Sequence, residues 1–232
     1  MVIIALDFKD MKTSLEFLDK FDESLYVKVG MELFYGSGLE IIKEIKKRGH
    51  KIFLDLKLHD IPNTVKKAMA NLARLGVDII NLHAAGGSKM MAAALEGLTE
   101  GSEGKDRPLL IAVTQLTSTS KEMMNAEQRI EGEVIDSVVN YAKVAQSAGL
   151  DGVVCSPLEV IKVKENCGKE FVTVTPGIRL KSNNADDQVR ITTPSMAREI
   201  GSDYIVVGRP ITQAENPVEA YKQIKKEFLG NE

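Results

Sequence analysis

With 232 residues, 44% hydrophobic and 27% charged, the chain has the size and balance of a globular domain with one large core. A net charge of −3 gives no general basic field, which argues against a nucleic-acid partner and leaves any anionic ligand to be met by local positive charge. The opening MVIIALD has no basic stretch and reaches Asp7 early, unlike a secretory leader, and no apolar run approaches the length of a membrane span. Cys155 and Cys167 form neither a metal-ligand pattern nor a disulfide framework, so a reduced, cytoplasmic protein with no membrane partner is expected.

Two patterns alternate along the chain. Short β-branched apolar runs predict strands at VIIALD (2–7), LYVKVG (25–30), KIFLDLK (51–57), VDIINLHA (77–84), LLIAVTQL (109–116), DGVVCS (151–156), FVTVTPG (171–177) and DYIVVGR (203–209). Between them, stretches such as LEIIKEIKKRG (39–49) and VKKAMANLARLG (65–76) have helical apolar spacing, and Gly49, Gly76 and Gly149 stand where a helix should stop. Strand–helix alternation implies a parallel sheet, and eight such units close naturally into a barrel. The expected fold is therefore an α/β protein of the (β/α)8, or TIM-barrel, class, with one domain over residues 1–232. An open doubly wound sheet would want a glycine-rich turn after the first strand, where ALDFKD stands instead.

Chemistry in such barrels sits at the C-terminal ends of the strands, and these ends are unusually polar here. Asp7 ends the first run, Lys28 interrupts the second, Asp55 and Lys57 the third, and Gly208-Arg209 closes the eighth. A charge within a strand is costly to bury unless paired or functional. In FLDLKLHDIPNT (53–64), strand periodicity puts Phe53, Asp55 and Lys57 on one face and the leucines on the other, facing helices. Asp60 follows in the loop, and Pro62 suits the first turn of a helix that Asp60 could cap. The segment reads either as a structural ion pair with a cap or as a site, and Lys28 as a third charge favours the site.

The decamer DLKLHDIPNT, together with ALD, VKVGMELF, NLHAAGG, AVTQLTS, TVTPGIR and IVVGR, resembles the orotidine 5'-phosphate decarboxylase family across the whole chain. The core D-x-K-x-x-D alone is shared with metal-dependent sugar-phosphate decarboxylases and synthases of the same superfamily, which makes these the alternative reading. The resemblance implies a carboxy-lyase of pyrimidine biosynthesis that turns orotidine 5'-phosphate into uridine 5'-phosphate without cofactor or metal. It also implies a homodimer with shared active sites. On this likeness Lys57 is the proton donor and Asp55 the carboxylate beside the substrate's own. Lys28 and Asp60 complete a Lys-Asp-Lys-Asp chain, with Asp60 supplied by the partner subunit. Asp7 and Lys28 match ribose ligands, joined by Thr64 across the dimer interface, and Thr117 with Ser118 lies where the pyrimidine is held. Pro176, Arg179 and Gln188 belong to the loop after strand seven, and Gly208 and Arg209 match phosphate ligands.

General chemistry agrees with that assignment. Loss of CO2 from C6 leaves a carbanion that the ring cannot readily delocalise, and a preorganised ammonium such as Lys57 can stabilise it and then deliver a proton. Asp55 opposes the substrate carboxylate, or equally serves to orient Lys57 and Lys28 and balance their charge. Barrels commonly hold phosphate on the loops after strands seven and eight, where PGIR and VGR offer backbone N–H groups and guanidinium forks. The polar stretch LKSNNADDQ (180–188) reads as a lid or a solvated loop. Other candidates have plainer readings. His50 is expected at the surface, His59 in the signature loop, and His83 at the end of strand four, from where it could reach the site as an acid–base group or simply pack in the core; none has ligand spacing for a metal. Cys155 reads as packing, and the Met90-Met91 pair as core or interface. A catalytically silent, nucleotide-binding barrel is the remaining alternative.

Overall fold

The computed structural model describes residues 1–179 and 192–230. Its strands are β1 (Val2–Ala5), β2 (Tyr26–Gly30), β3 (Lys51–Leu58), β4 (Ile79–His83), β5 (Leu109–Val113), β6 (Gly152–Val154), β7 (Val172–Thr175) and β8 (Tyr204–Val207), joined in that order into a closed barrel with helices between them. Pairing is parallel, as in Val2 against Ile205 between β1 and β8 and Gly30 against Asp55 between β2 and β3. The expected (β/α)8 class is thus the observed one. Most strands stop short of the expected apolar runs. β7 ends at Thr175, and the Pro176 that follows has no N–H to give to a ladder. β8 ends at Val207 because Gly208 leaves extended geometry (φ −105°, ψ −104°). The expected helices over 39–49 and 65–76 are observed at Glu40–Lys47 and Pro62–Ala73. Gly49 (φ 77°), Gly76 (φ 68°) and Gly149 (φ 86°) take left-handed conformations that suit glycine.

Two compact units emerge from the packing, residues Met1–Asp55 with Thr175–Glu232, and residues Leu56–Val174. In the first, Ile3, Ile4, Val27, Val29 and Ile205 are buried at the strands. Phe17 and Phe21 continue to Tyr221 through ring contacts of 5.3 and 5.9 Å between centroids. His50 corrects the surface expectation: only 5% of it is exposed, and its Nδ1 accepts a 3.1 Å hydrogen bond from the Leu25 N–H. A backbone partner 25 residues away is invisible to periodicity, which saw only a charged neighbour, Lys51.

In the second unit Ile79, Ile80, Leu82, Leu110, Ile111 and Val153 fill the interior, with Met90, Met91 and Cys155 buried as expected. Helices Pro62–Ala73 and Gly87–Gly101 approach so closely that a Cβ at Gly97 or Gly101 would strike the backbone of Lys66 or Ala70. Among the described residues no helix is long and apolar enough to cross a membrane.

Candidate active site

In the first unit, three of the sequence-selected charges join in a row: Asp7 just past β1, Lys28 on β2 and Asp55 on β3. The register sets Lys28 beside Ala5 and Gly30 beside Asp55. Lys28 Nζ lies 3.0 Å from Asp7 Oδ1 and 3.5 Å from Asp55 Oδ2. The lysine and Asp55 side chains are 13% and 11% exposed, whereas Asp7 is 61% exposed and opens to solvent. Such desolvated charge is a poor stability device, since taking ions from water cancels most of their attraction. It is a good means of presenting fixed charges to a ligand. Gly30 makes room for the lysine: a Cβ there would sit 3.1 Å from Lys28 Nζ.

The same unit carries the expected phosphate segment. Gly208 precedes the short helix Arg209–Thr212, whose first side chain is exposed. After β7 come half-buried Pro176, exposed Gly177 (φ 84°) and half-buried Arg179. The Arg179 N–H donates to Thr192 O at 3.1 Å, next to a bridge between Ile178 and Thr192. Gln188 and the 180–188 stretch lie outside the described residues.

In the second unit, Lys57 departs from the extended strand. Its φ is +52°, a left-handed conformation that costs a non-glycine residue roughly 1–2 kcal/mol. The regular extended backbone assumed from periodicity over Asp55, Leu56 and Lys57 is therefore interrupted at Lys57. The Lys57 N–H donates 2.8 Å to Oδ1 of Asn81, a fully buried side chain on β4. Asp60 is not the expected helix cap. The cap position belongs to Ile61, and the Asp60 carboxylate instead accepts from the Ile61 N–H at 2.7 Å. Pro62 does take the first turn, as expected. Asp60 and Thr64 are exposed, as is Ile61 at 67%. Thr117 and Ser118 are exposed at the centre of a turn closed by a 2.8 Å bond from the Thr119 N–H to Leu116 O. The turn springs from two buried polar residues. Thr114 Oγ1 donates to Val154 O at 2.9 Å, and Gln115 Nε2 to Ser137 Oγ at 3.0 Å. His83 and His59 stand with ring centroids 5.8 Å apart. Among the described residues, no group of three or more His, Cys, Asp or Glu side chains is disposed to hold a metal ion.

Gly30, Thr114 and Gln115 were not selected from sequence, and Asn81 was marked only as a polar residue near the end of strand four, with no role. Asn81 had a signal, an amide inside the apolar run IINLH. Gly30 had none beyond its place at the end of a strand.

The model of the orotidine 5'-phosphate decarboxylase / HUMPS family matches residues 1–224. The chain belongs to this family. It is 63% identical over 231 residues to the orotidine 5'-phosphate decarboxylase of Bacillus cytotoxicus, covering 99% of this chain and 97% of that one. It is 62% identical to the enzyme of the same name from Bacillus mycoides, with the same coverage. Among solved structures, orotidine 5'-phosphate decarboxylase from Lactobacillus acidophilus matches with a TM-score of 0.89 and 47% identity, covering 98% of each chain. The DLKLHDIPNT segment is where the geometry is least ordinary, through the positive φ of Lys57.

Proposed function

We propose that this chain decarboxylates orotidine 5'-phosphate to uridine 5'-phosphate, the activity by which its close relatives are named. The carrying observation is the Asp7–Lys28–Asp55 charge row, followed on β3 by Lys57 in a strained backbone conformation. Phosphate binds Gly208, Arg209, Arg179 and the Pro176 loop, with Gln188 joining from the neighbouring segment. The ribose meets Asp7 and Lys28, and the pyrimidine lies by Thr117 and Ser118. Asp55 then opposes the substrate carboxylate. At about 4 Å and an effective dielectric near 20, that repulsion is on the order of 4 kcal/mol, and it vanishes as CO2 departs. Binding of the distant phosphate offsets it. The Lys57 ammonium faces the negative charge developing at C6 and gives its proton to that carbon.

The working form is a cytoplasmic homodimer of single-domain subunits, with Asp60 and Thr64 entering the partner's site. Their exposure, beside an exposed Ile61, supports this reading. Absorbance of orotidine 5'-phosphate followed with purified protein in EDTA tests the function. Turnover unaffected by the chelator is expected. Activity lost in EDTA and restored by magnesium would favour the metal-dependent sugar-phosphate branch instead. Tight product binding without turnover would mark a silent barrel.

A further inference from the structure

Lys57 is one of few non-glycine residues with a positive φ among the described residues, the others being Glu103 and Arg129. Those two lie outside the strands, whereas Lys57 lies within β3. A lysine has no intrinsic preference for φ +52°, so its surroundings must impose it. One contact is aimed at the strained unit itself: Oδ1 of Asn81, 0% exposed, accepts the Lys57 N–H at 2.8 Å. An amide at position 81, in the middle of β4 and flanked by buried Ile80 and Leu82, is costly to bury unless that bond is made.

We infer that Asn81 is a positioning residue: by capturing the Lys57 N–H it fixes the left-handed turn of β3 and so aims the ammonium at the reacting carbon. This rests on the reading of Lys57 as proton donor. The left-handed turn, rather than strand alternation, sets where the Lys57 side chain leaves the backbone. A rotation of one φ angle moves the ammonium, five bonds beyond Cα, by far more than proton transfer tolerates. Misplacement of a reacting group by about 1 Å costs on the order of 10²-fold in rate. Asn81 itself touches no substrate in this scheme, so its removal should leave ground-state binding alone.

The test compares the parent, Asn81→Ala, Asn81→Asp and Lys57→Ala/Asn81→Ala, measuring kcat and, separately, affinity for uridine 5'-phosphate. Asn81→Ala should lower kcat on the order of 10²-fold while product affinity stays near that of the parent. Asn81→Asp keeps an acceptor oxygen and should recover most of the loss. Adding Asn81→Ala to Lys57→Ala should lower the residual rate no further, since the two act through one ammonium. Amide hydrogen exchange at Lys57 should quicken in Asn81→Ala and not in Asn81→Asp. If Asn81→Ala does not fold, Asn81→Ser, a buried polar side chain too short to reach, replaces it with the same expectation. An active parent with unchanged kcat in these variants overturns the positioning role. Equal losses in kcat and product affinity, or an Asn81→Ala effect undiminished on Lys57→Ala, would do so too. A parent inactive on orotidine 5'-phosphate overturns the functional reading beneath it, and this role with it.

Discussion

At the start of β6, Asp151 accepts bonds of 2.6 and 2.9 Å from the Arg107 guanidinium and a third, of 2.7 Å, from the Leu110 N–H. At the other end of the strands, Lys28 is divided between Asp7 and Asp55, and Lys57 holds its place through a strained backbone. Both regions carry half-buried charge, but they treat it differently. The Arg107–Asp151 pair is bidentate and nearly saturated within the chain, which is the geometry that makes an ion pair stabilising. The Lys28 row is stretched between two acids of unequal exposure, and its opening at Asp7 faces solvent. Charge that satisfies itself holds the barrel together, and charge left reaching outward is available to a ligand.

The contrast breaks most sharply at Lys57. Lys57→Ala should lower kcat by about 10⁴-fold or more while product affinity persists, because a proton donor and an electrostatic stabiliser go together. Near-normal kcat would refute the assignment. The same variant tests the shared site. Mixed with an inactive Asp60→Ala variant under subunit exchange, it should restore roughly one quarter of parental activity, since half the dimers are hybrid and one of their two sites is whole. No recovery, with exchange confirmed by mass spectrometry, would put Asp60 and Lys57 in sites of one chain. A smaller loss is expected from Arg209→Ala. Removing a charged phosphate contact should cost about 1.5–3 kcal/mol in kcat/KM, and kinetics matching the parent would remove Arg209 from the phosphate group.

The fold was legible because β-branched runs and helical spacing alternate eight times, a pattern few topologies accept. The charges of the candidate site were legible because Lys28 and Asp55 interrupt apolar strands. What stayed hidden depends on backbone geometry and on contacts distant in sequence. Periodicity assumed an extended Lys57 and could not see a positive φ. Asp60 looked like a helix cap because aspartate favours that role, yet the helix starts one residue later, behind Ile61. His50 looked exposed from its charged neighbour, while its partner is the Leu25 backbone, 25 residues away.

On the structural side of the comparison, Asp151→Ala should lower unfolding free energy by about 1–3 kcal/mol, because it strands a half-buried Arg107 and the Leu110 N–H. Its kcat should match the parent's in the folded range. A fall in kcat without loss of stability would show that the two ends of the strands are not independent.

The smallest effect concerns His50 and is read in pH. Burial, followed by repulsion from Arg48, lowers its pKa below the ordinary histidine value, and nearby Asp19 offsets this in part. The folded protein therefore holds a neutral ring whose Nδ1 can accept from Leu25, whereas protonation at that nitrogen would break the bond. The unfolded chain takes the proton first, so it binds more protons between the two pKa values, and stability rises with pH there. The stabilisation is complete above the unfolded value of about 6.5, declines as pH falls below it, and is gone once the folded pKa is passed. His50→Asn places an amide oxygen near the Nδ1 position and cannot titrate. Denaturant unfolding from about pH 7.5 to about pH 5 should show the parent losing more stability than the variant. The carboxylates common to both proteins cancel in that difference. Parallel curves would mean that His50 stays uncoupled from folding, and its burial would then be packing alone.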